Sequence, residues 1–394
     1  MDGQSTLYSS ILLLGAAHGG FLAIALLNVR SGNKAALRLL GLLTITFAID
    51  LATNYLIVSG LVVRFPRLAF VESVAVFLYG PLLYFYVCAL TARSAWTLRQ
   101  QSWLHLLPLV LCALLLIPLL RLYDAALVEV IYERSIGEVG DGGWATGRFL
   151  LDVLPRLLIA FYLFLGFRRL MQHGRNIRDT FSSIEHINLN WLRNLLIAWL
   201  MLWAMYFVAL AFGGRGPVEN ALNVAMVFVV YALGYLGLRQ PEIFTQSDLA
   251  VRKESTVLSK AATNSGVSKP KYEKSALDTA SSEALLTELE TIMRNEQPYL
   301  DSTLTLSQLA DQLGISSNYL SQVINQRAGS NFFDFVNGYR IETAKSLLAD
   351  PANAKMNVLT VAMDSGFNSK SAFYTAFKHH TSETPSQFRR KKVS

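Results

Sequence analysis

The chain has 394 residues, 52% of them hydrophobic and only 16% charged, against roughly 25% charged in an ordinary soluble protein. That deficit falls almost wholly within residues 1–240 and excludes a single soluble domain as the whole chain. A net charge of +7 suits nucleic acid or an anionic membrane surface, and the two cysteines, Cys88 and Cys112, are too few and too far apart for a disulfide framework or a cysteine zinc site.

The chain opens on an apolar run, Leu7–Val29, with no basic residue ahead of it and Arg30, Lys34 and Arg38 behind it. This pattern predicts a first membrane span and not a cleavable leader. A hydrocarbon core takes about 20 apolar residues to cross. Further runs at Leu39–Ser59, Phe70–Leu90, Trp103–Leu120, Phe149–Phe167, Leu195–Phe212 and Val218–Leu238 bring the expected number of spans to seven.

Basic residues distribute unequally between alternate loops. One set holds Arg30, Lys34, Arg38, Arg93, Arg99, Arg168, Arg169, Arg175, Arg178 and Arg193; the other is poorer in them and includes the acidic stretch Asp124 to Asp141. The excess of Lys and Arg on the cytoplasmic side then predicts the N-terminus outside and the C-terminus in the cytoplasm of a multi-pass inner-membrane protein.

Ionisable residues inside spans are costly and tend to face the bundle interior. Asp50 lies deepest, with Asn54 one turn later on the same face; Asp152 and Arg156 stand four apart, close enough to pair. These four are the candidate signal-sensing residues, and helix–helix hydrogen bonding is the plainer alternative. For His18 and the span-end residue Glu72 the structural role is favoured.

After Pro241 the composition turns to Ser, Thr, Ala and Lys, which marks residues 241–280 as a linker. Leu285, Leu286, Leu289, Ile292 and Met293 then recur at helical spacing and predict an amphipathic helix packed on the domain that follows.

That domain, 281–394, carries two copies of one pattern. In the first, Thr305 caps a short helix with Leu306, Leu309, Ala310 and Leu313 inward; Gly314 turns, Ile315 plugs, and Ser316 caps a second helix with Tyr319, Leu320, Val323 and Ile324 inward. In the second, Val358, Val361 and Ala362 precede Gly366-Phe367, and Asn368 is expected to cap a helix with Phe373 and Phe377 inward. An apolar pattern from Phe332 to Leu348 predicts a long connecting helix. Two helix-turn-helix units on a rigid connector can enter successive major grooves, about 34 Å apart.

The segments LTLSQLADQLGIS, NYLSQVIN, FFDFVNGYRIETAKSLL, DSGFNSKSAFYTAFKHH and TPSQFRR resemble, in order and spacing, the AraC/XylS-type DNA-binding domain. KYEKSALD and PYLDSTLTL are similar to members of that family with an N-terminal helical membrane domain. The resemblance implies base-edge contacts from Asn318, Ser321 and Gln322 on the first recognition helix and from Lys370, Ser371, Tyr374 and Thr375 on the second. Gln and Asn suit adenine and Lys suits guanine. Arg327, Lys378, His379 and the tail Arg389–Lys392 are candidates for phosphate contacts. In contrast to many DNA binders, acidic and basic residues roughly balance over 281–394.

The expected protein is therefore all-α: a seven-helix transmembrane bundle (1–240), a linker (241–280) and a soluble AraC-type domain (281–394). Its expected role is that of a membrane-anchored one-component transcriptional regulator. Its expected partners are double-stranded DNA and the lipid bilayer, with RNA polymerase, a second copy of the chain and an unknown small ligand as further candidates. No cofactor, metal or catalytic residue is expected, because no HExxH or GxSxG motif occurs. The alternative is a transporter or channel with a regulatory DNA-binding tail; an odd span count without an internal repeat argues against it.

Overall fold

The computed structural model describes residues 3–29, 32–92, 103–116, 128, 153–185, 187–211, 215–239 and 279–393. Among these the secondary structure is helical, apart from one isolated antiparallel bridge, Phe181 to Thr305. The chain divides into two units: Met1–Met171 with Leu189–Thr245, and Gln172–Asn188 with Gln246–Ser394.

The first unit contains α1 (Gly3–Asn28), α2 (Lys34–Val58), α3 (Leu68–Ala75), α4 (Tyr79–Thr91), α5 (Leu107–Leu116), most of α6 (Leu154–Arg178), α7 (Asn190–Ala211) and α8 (Arg215–Arg239). α1 packs along α2, and α8 packs on both. Leu22 of α1 lies against Gly234 of α8 so closely that any side chain at 234 would overlap it. Small residues of this kind let helices approach where lipid supplies no hydrophobic driving force.

Five stretches among the described residues are long and apolar enough to cross a membrane: Thr6–Asn28, Lys34–Val58, Ser73–Thr91, Asn190–Val208 and Asn220–Leu238. Five of the seven expected runs correspond to these stretches. The run expected at 103–120 is seen only as a 3-10 turn, Trp103–Leu106, followed by the ten residues of α5, and its remainder lies outside the described residues. α6 has the length, with 25 residues, but the helix continues without a break through Arg168, Arg169, Arg175 and Arg178. The arginines expected in a loop are helical, and residues 149–152 at the start of that expected run lie outside the described residues.

In the second unit α9 (Thr279–Asn295) leads through a 3-10 turn (Pro298–Leu300) into α10 (Leu306–Gln312), α11 (Ser317–Arg327), α12 (Phe332–Ala349), α13 (Val358–Asp364), α14 (Lys370–Thr381) and α15 (Pro385–Val393). Two cores form. Leu289, Met293, Leu309, Ala310, Leu320, Ile324, Phe332 and Val336 fill the first. Ile341, Ala344, Leu348, Val361, Ala362, Phe373 and Phe377 fill the second. α12 belongs to both and is the connector that the apolar pattern predicts; its 18 residues span about 27 Å at the helical rise. α9 packs on the first core through Leu286, Leu289, Ile292 and Met293, as its spacing predicts.

Candidate nucleic-acid interface

The first unit of the pair starts with a capping box. Thr305 Oγ1 accepts from Gln308 N at 3.3 Å, and Gln308 Oε1 accepts from Thr305 N at 2.7 Å. Thr305→Ala is expected to lower domain stability by about 1 kcal/mol, read as faster amide hydrogen exchange over Leu306–Gln312; unchanged exchange would refute it. Gly314 then takes a left-handed conformation (φ +65°) that only glycine adopts readily. Ile315 N closes the turn onto Ala310 O at 3.0 Å, and Ser316 Oγ caps α11 by accepting from Tyr319 N at 3.3 Å.

With Leu320, Val323 and Ile324 buried, the outer face of α11 presents Asn318 and Gln322, both exposed, beside half-buried Ser321. Asn325, exposed one turn on, donates to Ser321 O at 2.9 Å and Ser321 Oγ at 3.3 Å. Asn325 is a candidate interface residue that sequence reasoning missed, although its spacing from Asn318 and Gln322 places it on the same face. Arg327, expected at a phosphate, turns instead onto α9: it donates to Ser282 Oγ at 3.2 Å and lies 3.6 Å from Glu283.

In the second unit Asn357 caps α13, and Gly366 turns with φ +86°. The cap of α14 is Ser369, whose Oγ accepts from Ala372 N at 3.1 Å, and not Asn368 as expected. Asn368 is drawn away by another partner, Ser183 Oγ, to which it donates at 2.6 Å. Phe373, Ala376 and Phe377 anchor α14, leaving Lys370, Ser371, Thr375, Lys378 and His379 exposed and Tyr374 half-buried. The Lys370 ammonium sits 5.5 Å from the centre of the Tyr374 ring, an arrangement that steadies its long side chain. Partial desolvation, and then His379 beside it, lower the His380 imidazole from its ordinary value against the opposing pull of Asp334 and Glu342. In the tail, Arg389 donates to Met356 O at 2.8 Å and Lys391 pairs with Glu383, so both serve the fold, while Arg390 and Lys392 are exposed.

The second missed residue is Arg340 on α12, 1% exposed and bonded to backbone carbonyls. Burial pulls its guanidinium down to about 10, against the opposing pull of Glu185 and Asp301, and it stays charged at neutral pH.

The candidate sensing residues lie in the first unit. Asp50 is 9% exposed. Asn54 Nδ2 donates to Asp50 Oδ1 at 3.3 Å, and Asn223 Nδ2 donates to Asn54 Oδ1 at 3.2 Å and to the Tyr8 hydroxyl at 3.0 Å. The polar network thus ties α1, α2 and α8 together, and Tyr8 and Asn223 join it without having been expected. His18 stacks on Tyr231, ring centres 3.9 Å apart. Arg156 lies over Tyr206 at 4.7 Å and Trp203 at 5.8 Å; Asp152, its expected partner, and the side chain of Glu72 lie outside the described residues.

Residues 309–391 match the family described as "Helix-turn-helix domain". An uncharacterized HTH-type transcriptional regulator of Staphylococcus aureus (strain COL) is 36% identical over 86 residues, 22% of this chain and 11% of the relative. Another, YtdP of Bacillus subtilis (strain 168), is 33% identical over 94 residues, 24% of this chain and 12% of the relative. The chain therefore spans only about a tenth of the length of these relatives. Among solved structures, the C-terminal domain of the two-component response regulator yesN from Fusobacterium nucleatum is 33% identical, covering 27% of this chain and 98% of that one, with a TM-score of 0.24. The C-terminal domain of AraT, a response regulator from Geobacillus stearothermophilus, is 28% identical, covering 28% and 86%, with a TM-score of 0.25. The C-terminal domain of this chain is a helix-turn-helix domain of the AraC type.

Proposed function

We propose that the chain is a membrane-anchored one-component transcriptional regulator, multi-pass in the inner membrane, with its N-terminus outside and its DNA-reading domain in the cytoplasm. A signal acting on the helical bundle controls sequence-specific binding of α11 and α14 to double-stranded DNA. RNA polymerase and a second copy of the chain are further partners in this reading.

One observation carries it: the same chain joins the two recognition helices to span-length helices whose large apolar side chains point outward. Phe21 is 70% exposed, Ile24 64% and Phe228 70%. An apolar exterior of this kind is costly in water and suits lipid. The surplus of basic residues beside alternate loops supports the orientation, and the exposed polar faces of α11 and α14 support base reading.

The test joins cell fractionation to genome-wide DNA occupancy of the tagged full-length protein. The expected result is a protein that stays with the membranes through an alkaline wash and yields discrete occupancy peaks. Recovery in the soluble fraction would overturn the anchoring, and absence of peaks from cells grown across varied conditions would overturn the DNA reading.

The Asp50–Asn54–Asn223–Tyr8 network is the proposed point of sensing, with an unknown small ligand or a proton as the signal. Asp50→Asn should accumulate normally yet shift promoter output by about fivefold or more, the usual size of an allosteric coupling. Unchanged output across growth conditions would remove the network from signalling.

A further inference from the structure

The short connection between α6 and α7 is part of the second unit up to Asn188, and residues 180–183 are bonded to the helix-turn-helix domain. Phe181 bridges Thr305. Ser182 N donates to Leu304 O at 3.2 Å, and Leu306 N donates to Thr180 O at 3.0 Å. Those two bonds flank the 181/305 pair, which makes it the non-hydrogen-bonded kind, with the closer approach of side chains. Ser182 Oγ donates to Leu304 O at 2.7 Å, Ser183 Oγ accepts from Asn368 at 2.6 Å, and the Arg178 guanidinium lies 5.9 Å from the Phe333 ring centre. A few residues thereby touch the start of α10, the connector α12 and the turn before α14.

Arg340 shows that this seat is built for its occupant. A guanidinium has five N–H donors. Three meet acceptors of the domain itself: Tyr299 O at 2.7 Å, Asp301 O at 2.8 Å and Asn337 Oδ1 at 3.3 Å. The other two meet Ser182 O at 2.8 Å and Ser182 Oγ at 3.0 Å. Without residue 182, a buried cation would keep two donors unmatched, a costly state. The domain therefore carries in its interior a charge whose hydrogen bonds are completed from a segment more than a hundred residues earlier in the sequence.

We infer that residues 180–184 are a docking strap, an intramolecular ligand of the helix-turn-helix domain that holds its two units in their DNA-reading arrangement. The strap touches neither recognition face: Asn318, Gln322, Lys370, Ser371 and Thr375 are exposed with it in place. It supports binding and is not a plug. Because it joins α6 to α7, a shift of either helix pulls on the domain directly. That coupling rests on the membrane reading above; the docking itself does not.

The test uses the full chain in native membranes, with Cys88→Ser and Cys112→Ser to clear the background. Oxidation should join a Phe181→Cys/Thr305→Cys pair almost completely, and leave Phe181→Cys/Gln312→Cys open. Ser182→Pro removes the N–H and the hydroxyl of the strap while leaving residues 279–393 unaltered, so the domain retains its own core. It should abolish the 181/305 cross-link and weaken binding of the full chain to a DNA fragment from an occupied site by about tenfold, as for the loss of the Ser182 hydroxyl's bond from the buried Arg340 together with both Ser182 bonds to Leu304 O. No preferential cross-link at 181/305, or DNA binding by Ser182→Pro as tight as wild type or tighter, would overturn the proposal. If the wild type occupies no DNA site, the function proposed above has failed, and the cross-link still decides whether the strap docks.

Discussion

Gly366→Ala should cost the C-terminal domain a large fraction of its stability. The residue sits at φ +86°, and a Cβ there would overlap the Tyr299 carbonyl oxygen and lie 2.9 Å from Leu300 Cα. Both obstacles are backbone, so no rotamer change relieves them. The left-handed conformation costs alanine about 1–2 kcal/mol, and forcing atoms into packed space adds about 1–3 kcal/mol. The sum is a large fraction of the roughly 5–15 kcal/mol that holds a domain together. Gly314→Ala is the internal control, since φ is +65° but nothing lies within 4 Å of its Cβ; only the conformational part, about 1–2 kcal/mol, should appear there. Amide hydrogen exchange over 279–393 in the full chain checks both. Equal protection in the two variants would show that the junction at Tyr299 yields without cost.

The Gln322→Ala/Lys370→Ala double variant should lose specific DNA occupancy while folding normally. Both side chains are exposed, one on each recognition helix, and neither belongs to a core cluster. A good bidentate base contact is worth about 1–3 kcal/mol of discrimination. The helices pack on separate cores, so the two losses should add, to about 100-fold or more in affinity for an occupied site. Binding titrations with the full chain against that site and against scrambled DNA measure it. Retained discrimination would move base reading to other residues, with Asn318, Asn325 and Thr375 next in line.

Local chemistry made most of the helix-turn-helix domain legible in the sequence. Caps at Thr305 and Ser316, turns at Gly314 and Gly366 and the inward faces of α10, α11 and α14 all rest on contacts within a few residues. The mistaken cap at Asn368 shows where local rules stop. Asn and Ser cap equally well; Ser369 takes the cap, while Asn368 donates to Ser183, distant in sequence. Arg340 was invisible for a related reason: a lone Arg on a helix reads as a solvated face until the carbonyls converging on it are seen. The strap has no periodicity, only polar residues in a short connection, and its pairing partner is over a hundred positions away. In the first unit, apolar length marked five stretches that are span-length helices, but it missed that α6 stays helical through arginines that pattern alone assigned to a loop. Asp50 and Asn54 were legible as a pair on one face, while Asn223 and Tyr8 complete the network from other helices.

The two recognition helices differ in character. α11 offers Asn318, Ser321, Gln322 and Asn325, and Arg327, the cation at its end, is engaged with Ser282 and Glu283. α14 carries Lys370 and Lys378 in the open. Charge governs how fast a protein finds DNA and how strongly salt interferes, whereas neutral hydrogen bonding to bases governs how long the right sequence is kept. In the proposed reading the C-terminal half would contribute more to capture and to salt sensitivity, and the N-terminal half more to retention of the right sequence. An operator read in this way would have a direction, because its two half-sites would meet helices of different character, and inverting it relative to a promoter would exchange which half stands nearer the start of transcription.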